Sequence, residues 1–118
     1  MTFSILVATM NRPQAIANLL ESVEKQTFLP QEFILVDQSK DGRTKDVCDA
    51  YVKRMHGRGQ VFKYVRQETP SLVKARNRGV DESTGEIICF VDDDVILNPD
   101  YFERIAFYFK DPSIGGVT

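Results

Sequence analysis

The sequence predicts an α/β domain built on a doubly wound, mostly parallel sheet. Three observations carry this expectation. Short continuous apolar runs, rich in β-branched residues, recur along the chain as strands covered on both faces do. Between them lie segments whose apolar residues repeat at helical spacing. The two kinds alternate, which is the order of strands joined by crossover helices.

Phe3 to Thr9 (FSILVAT) is the first such run. Asn11-Arg12-Pro13 ends it, and Pro13 suits the first turn of a helix. Ile16, Leu19, Leu20 and Val23 then form one apolar stripe. Pro30 closes the linker to a second buried strand, Glu32 to Asp37 (EFILVD). Ser39-Lys40-Asp41-Gly42 has turn chemistry. Thr44 to Met55 reads as a helix with Val47, Cys48, Tyr51 and Val52 inward. Gly57 and Gly59 mark a loop before a third strand, Val61 to Val65. Ser71 to Val80 reads as a helix with Gly79 close to its end. Glu86 to Val91 (EIICFV) is the fourth strand, again buried, and Asp100 to Phe109 is an aromatic-rich helix. Ile114 to Thr118 looks like the approach to a fifth strand. Phe62, Tyr64, Phe107, Tyr108 and Phe109 are expected in core or sheet packing, and His56 at a solvated helix end.

At 118 residues, with 42% hydrophobic and 27% charged side chains, the chain suits one domain with a core, residues 1–118. It holds no internal repeat and no linker. Fifteen basic against seventeen acidic residues give a net charge of -2, which disfavours a nucleic-acid or membrane-surface binder. No apolar run approaches the roughly 20 residues that cross a bilayer, and Met1 to Ser4 lacks the basic start of a secretory signal. Cys48 and Cys89 lie inside regular segments without a CxxC, so they are expected as reduced thiols in the cytoplasm.

An open sheet of this kind binds its ligand beyond the carboxyl ends of its strands. That rule selects Thr9 to Arg12, Asp37 to Ser39, the loop after Val65, and Asp92 to Asp94. Three consecutive carboxylates repel one another unless a cation offsets them. Hard oxygen ligands suit Mg2+ or Mn2+, which share coordination with substrate phosphates. The alternative is a strand-end cap, with Asp94 or Asn98 capping the next turn. Asp37 can accept a hydrogen bond from a base or ribose, or simply initiate the turn. Arg76 and Arg78 flank Asn77 on a helix, and guanidinium groups fit phosphate oxygens, although an exposed helix face explains one of them. No GxGxxG follows the first strand, no GxxxxGK[ST] is present, and one histidine leaves little for triad or zinc chemistry.

These motifs resemble a known family. Ser4 to Arg12 (SILVATMNR) resembles the opening strand of family 2 glycosyltransferases with a GT-A fold, and Glu32 to Ser39 (EFILVDQS) their second strand. Ala75 to Gly79 (ARNRG) matches their A-R-N-x-G helix, and Glu86 to Asp94 (EIICFVDDD) the strand carrying the metal-binding DxD. Four motifs in order cover nearly the whole chain. The resemblance implies a nucleotide-diphospho-sugar transferase-like sheet, cut before the half that holds the acceptor. It implies that Thr9, Asn11 and Arg12 line a nucleotide pocket, with Ser39 beside Asp37. Asp37 would hydrogen-bond uracil, Arg76 would lie near base or diphosphate, and Asp93 near the ribose. Asp94 would bind Mn2+ or Mg2+, with Asp92 beside it, and the metal would act as a Lewis acid on the departing diphosphate of a UDP-sugar.

Gln38 departs from the pattern, where an acidic or amide residue one methylene shorter is common. Asp100, Glu103 and Asp111 match no base motif, so no catalytic residue is expected in this chain. By the same resemblance the parent protein would transfer sugar, with inversion, to a saccharide or lipid-linked acceptor, in the cytoplasm or at the inner membrane face. An uncovered sheet edge would favour a homodimer. Three other readings are weighed. A sugar-nucleotide binder without catalysis keeps the fold. A nucleotidyltransferase needs a Gly-rich basic loop after the first strand, where Arg12 stands without glycine. A phospho-receiver domain needs an acidic pair there and an Asp after the third strand, where Thr9-Met10-Asn11 and Val65-Arg66-Gln67 stand.

Overall fold

The computed structural model describes residues 2–111. Four strands and four helices alternate: β1 (Phe3–Thr9), α1 (Pro13–Glu24), β2 (Glu32–Asp37), α2 (Arg43–Gly57), β3 (Val61–Arg66), α3 (Leu72–Glu82), β4 (Ile87–Phe90) and α4 (Tyr101–Tyr108). All pairings are parallel, in the order β3-β2-β1-β4. The two strands with the longest apolar runs, β1 and β2, take the centre. Side chains alternate between the two faces of a strand. Phe3, Ile5 and Val7 of β1 therefore join α1, α2 and α4 in the main core, while Val36 and Ala8 meet Ala75 of α3 on the other face. The apolar stripe of α1 is fully buried at Ile16, Leu19, Leu20 and Val23. No helix among the described residues is long and apolar enough to cross a membrane.

Several expectations need correction. β4 is not a buried strand: among the described residues it pairs with β1 alone, is half-buried along its length, and leaves Phe90 53% exposed. α3 runs past the expected Val80 to Glu82, with Gly79 close to its end as expected. The missing side chain of Gly79 serves packing, because a Cβ there would overlap the Leu6 side chain. Phe107 and Tyr108 are not packed inside; they are 67% and 53% exposed. α4 turns Phe102 and Ala106 inward, one helical turn apart, and Ile105 and Phe109 flank them, which puts Phe107 and Tyr108 outside. His56 lies exposed in the last turn of α2, and residues 114–118 fall outside the described residues.

The amino end of the sheet is pinned by one buried carboxylate. Glu32 is 1% exposed and accepts hydrogen bonds from Ser4 Oγ (2.8 Å), Thr84 N (2.7 Å) and Thr84 Oγ1 (3.1 Å), with Lys63 Nζ at 3.0 Å. The four residues come from β1, β2, β3 and the approach to β4. Burial pushes the Glu32 carboxyl up, but hydrogen bonds from Thr84, Ser4 and Lys63 outweigh it, so its pKa falls below the ordinary 4.5.

At the carboxyl end the turn after β1 is left-handed at Asn11, with φ 57°. Asn is among the few side chains that adopt this backbone readily. Its N–H donates to Ser39 Oγ (2.8 Å) and its Oδ1 accepts from Lys40 N (2.9 Å), so the turn after β1 is tied to the turn after β2. The irregular segment after β4 and the start of α4 are held by α1 and the residues just after it. Ser22 Oγ accepts from Leu97 N (3.1 Å), Gln26 Nε2 donates to Asn98 O (2.7 Å), and Gln26 Oε1 accepts from Phe102 N (3.2 Å).

The lowered pKa of Glu32 stabilises the fold fully above the unfolded value near 4.5, and that stabilisation is lost as pH falls through the folded value. E32Q should therefore melt below the parent at pH 7, and the gap should narrow as pH falls below 4.5; a gap independent of pH contradicts the assignment. N11A should cost about 1–2 kcal/mol in urea unfolding, because alanine pays for the left-handed backbone. N11G removes that strain and keeps the N–H bond to Ser39, so it should recover part of the loss.

Candidate functional site

The parallel register brings the carboxyl ends of the strands together. Thr9 stands opposite Asp37, Asp37 opposite Arg66, and Leu6 opposite Phe90. Thr9 Oγ1 donates to Asp93 Oδ2 (2.8 Å), and Arg12 Nη1 lies 3.2 Å from Asp93 Oδ1 and 3.7 Å from Asp94 Oδ2. Both oxygens of Asp93 are thus engaged and its side chain is 13% exposed, whereas the Asp94 side chain is 63% exposed. One guanidinium offsets two of the three adjacent carboxylates.

A cleft of about 300 Å³ opens between α3 and β4 beside this knot. Arg12, Asp92, Asp93 and Asp94 line one wall, Leu72 and Arg76 of α3 the other, and Leu6, Ala8, Phe90 and Val91 the floor. The Arg76 guanidinium sits 5.8 Å from the centre of the Phe90 ring, which holds it at the cleft by a cation–π contact. Two guanidinium groups and an exposed carboxylate face one space. The guanidinium groups suit phosphate oxygens, and the carboxylates suit a hard divalent cation.

Among the described residues, no three Asp, Glu, His or Cys side chains converge as a complete metal cage. Mg2+ and Mn2+ in phosphate-sharing sites need only one or two carboxylates, with phosphate and water completing the shell. Asp94, exposed on the cleft wall, and Asp92 beside it fit that smaller requirement.

Asp37 is placed differently. It is fully buried and does not line this cleft. Its Oδ1 accepts from Ser39 N (2.9 Å), its Oδ2 accepts from the Tyr64 hydroxyl, and Arg66 Nη1 lies 3.9 Å away. Burial, together with the hydrogen bond to Asp37, pushes the Tyr64 phenol up to about 12 and keeps it a donor. Ser39, itself buried, joins Asn11 and lies 3.3 Å from Thr44 Oγ1. Of the residues selected from sequence, Thr9, Arg12, Asp93 and Asp94 form one knot, and Asp92 and Arg76 share its cleft. Asn11 and Ser39 fasten the turns, and Asp37 lies beneath them.

Tyr64 and Arg66 escaped the sequence reading as site residues. Both point from β3 toward Asp37, two residues apart on one face, and only the cross-strand register shows it. A second group was also missed. Gln38 Oε1 accepts from Ser71 N (2.6 Å) and Gln67 Nε2 (3.1 Å), tying the turn after β2 to the start of α3. Its departure from the family pattern was the visible signal.

The family model of Glycosyl transferase family 2 matches residues 4–118. EpsH of Bacillus subtilis (strain 168), a putative glycosyltransferase, is 36% identical over 102 residues, which cover 86% of this chain and 28% of EpsH. The crystal structure of S. aureus TarS in complex with UDP-GlcNAc superposes with a TM-score of 0.77 at 30% identity, covering 94% of this chain and 32% of that one. GalNAc-T7, solved with UDP, GalNAc and Mn2+, superposes with a TM-score of 0.64 at 26% identity over 79% of this chain and 18% of its own. The chain spans a third or less of the length of each of these proteins. Its sheet is that of the GT-A transferases, and with nearly every residue matched the chain belongs to glycosyl transferase family 2.

Proposed function

We propose that this chain binds the nucleotide diphosphate of a UDP-sugar donor in the cleft between α3 and β4, as the donor-binding part of a longer transferase. The observation that carries this reading is the pair of guanidinium groups lining one cleft at the carboxyl edge of the sheet, Arg76 on one wall and Arg12 beside the exposed Asp94 on the other. The likeness to TarS, solved with UDP-GlcNAc, supports the choice of donor.

In this reading Arg76 pairs with diphosphate oxygens, and Arg12 contributes positive charge from the opposite wall. Thr9, Asn11 and Ser39 shape the nucleotide end, and Asp93, fixed by Thr9 and Arg12, faces the ribose. Asp94, with Asp92 beside it, holds Mn2+ or Mg2+; when bound, that ion neutralises charge on the departing diphosphate. Asp37 accepts from the uracil ring N–H. Its present partners leave room within the roughly four acceptor positions of a carboxylate. Being fully buried, it meets the base only after neighbouring groups rearrange.

Transfer also requires a base within reach of the acceptor hydroxyl. Among the described residues, Asp100 pairs with Arg104 (2.7 Å), Glu103 accepts from Thr27 Oγ1 (2.8 Å), and neither lines the cleft. The whole protein is therefore read as supplying the base, and the saccharide or lipid-linked acceptor site, from elsewhere, with inversion at the transferred sugar. Association through the β4 edge belongs to the same reading.

Calorimetry and melting of the 118-residue chain test this. Mn2+ with UDP should stabilise more than either alone; ligand at 100 times its dissociation constant adds about 2.7 kcal/mol over the ligand-free chain. D94A should lose the Mn2+-dependent part and keep the rest. CDP, which lacks the ring N–H, should bind more weakly by about 1–3 kcal/mol. Binding of Mn2+–UDP to D94A at the parent affinity contradicts the role of Asp94, and equal binding of CDP and UDP removes the case for uracil.

A further inference from the structure

Gln38 follows Asp37 at the end of β2 and is only 9% exposed. Its Oε1 receives two N–H groups, the backbone of Ser71 at 2.6 Å and Gln67 Nε2 at 3.1 Å. Gln67 Nε2 also reaches Thr69 O (3.0 Å) and Ser71 O (3.1 Å), so the whole turn from β3 to α3 gathers on one amide. Ser71 caps α3, its Oγ accepting from Lys74 N at 3.2 Å. The first turn of α3 gains no other polar hold from β2 among the described hydrogen bonds. Further along the same helix, Arg76 reaches the cleft, five residues beyond the clasp.

We infer that Gln38 is a positioning residue for Arg76: through Ser71 it sets where α3 begins, and so where the guanidinium stands against Asp94 across the cleft. This rests on the reading of the cleft as a diphosphate site. The length of the side chain is what matters. Asparagine keeps the amide but is one methylene shorter, so it cannot hold both donors at these distances from an unmoved β2. The loss falls on the phosphate-binding wall, because both donors on Gln38 belong to the β3–α3 turn, whereas Asp37 and Ser39 at the nucleoside end keep their own hydrogen bonds with Tyr64 and Asn11.

The test compares UDP with uridine by calorimetry on the 118-residue chain, for the parent, Q38N, R76A and the double variant. Q38N should weaken UDP by about fivefold while uridine changes by less than about twofold. In the R76A background Q38N should have no further effect on UDP, because Gln38 acts through Arg76. Q67L removes the bonds from Gln67 to Gln38, Thr69 O and Ser71 O but leaves the Ser71 N–H on Gln38; it should weaken UDP in the same direction, which keeps the inference testable where Q38N fails to fold. Equal weakening of UDP and uridine, no weakening of UDP, or losses that add in the double variant each overturn the role of Gln38 and leave the diphosphate site standing. A parent chain that binds UDP no better than uridine overturns that site, and the inference with it.

Discussion

The carboxyl edge of the sheet depends on Asp93 being held from two sides, by the Thr9 hydroxyl and the Arg12 guanidinium. This contact joins the end of β1 to the segment that leaves β4, residues more than 80 apart in the chain. Three adjacent carboxylates would otherwise push that segment away from the sheet. With Asp93 fixed inward, Asp94 is directed outward beside Arg12, and the cleft acquires its charged wall. Arg76 completes the opposite wall only because α3 packs close to β1, which Gly79 permits at Leu6.

The two ends of the sheet manage charge in opposite ways. At the amino end, Glu32 is buried and every acceptor position is filled by fixed partners from three other segments. Such a group is costly to disturb, since loss of any partner leaves a buried charge unsatisfied. At the carboxyl end, Arg12 and Asp94 are both more than half exposed and meet at 3.7 Å. An exposed pair of that kind contributes little to stability. One end fixes the register of the strands, and the other leaves Arg12 and Asp94 loosely paired and exposed at the cleft.

Much of this was legible in the residues. The runs FSILVAT and EFILVD mark the central strands because a buried parallel strand needs apolar residues on both faces. The rule that ligands gather beyond strand ends selects Thr9, Arg12, Asp93 and Asp94 from the sequence, and the fold brings them together. EIICFV, in contrast, reads the same at the centre of a sheet and at its edge, and only the strand order shows Phe90 exposed. The sequence placed Gly79 close to the end of α3, but the reason it is glycine lies on another element, at Leu6 of β1. The burial of Asp37 under Tyr64 and Arg66 depends on the β2–β3 register, which no local pattern encodes. Gln38 shows the same limit: its departure from the family pattern was plain, and its two partners were not.

An amide NMR titration of the 118-residue chain with UDP and Mg2+ tests the central claim most directly. Binding in the cleft should shift Thr9 to Arg12, the first two turns of α3 through Arg76, and Val91 to Asp94, with the amino end around Glu32 and Thr84 unmoved. Shifts confined to the face formed by α1 and α4, or none at UDP concentrations that saturate nucleotide-sugar sites, would contradict the placement of the donor between α3 and β4.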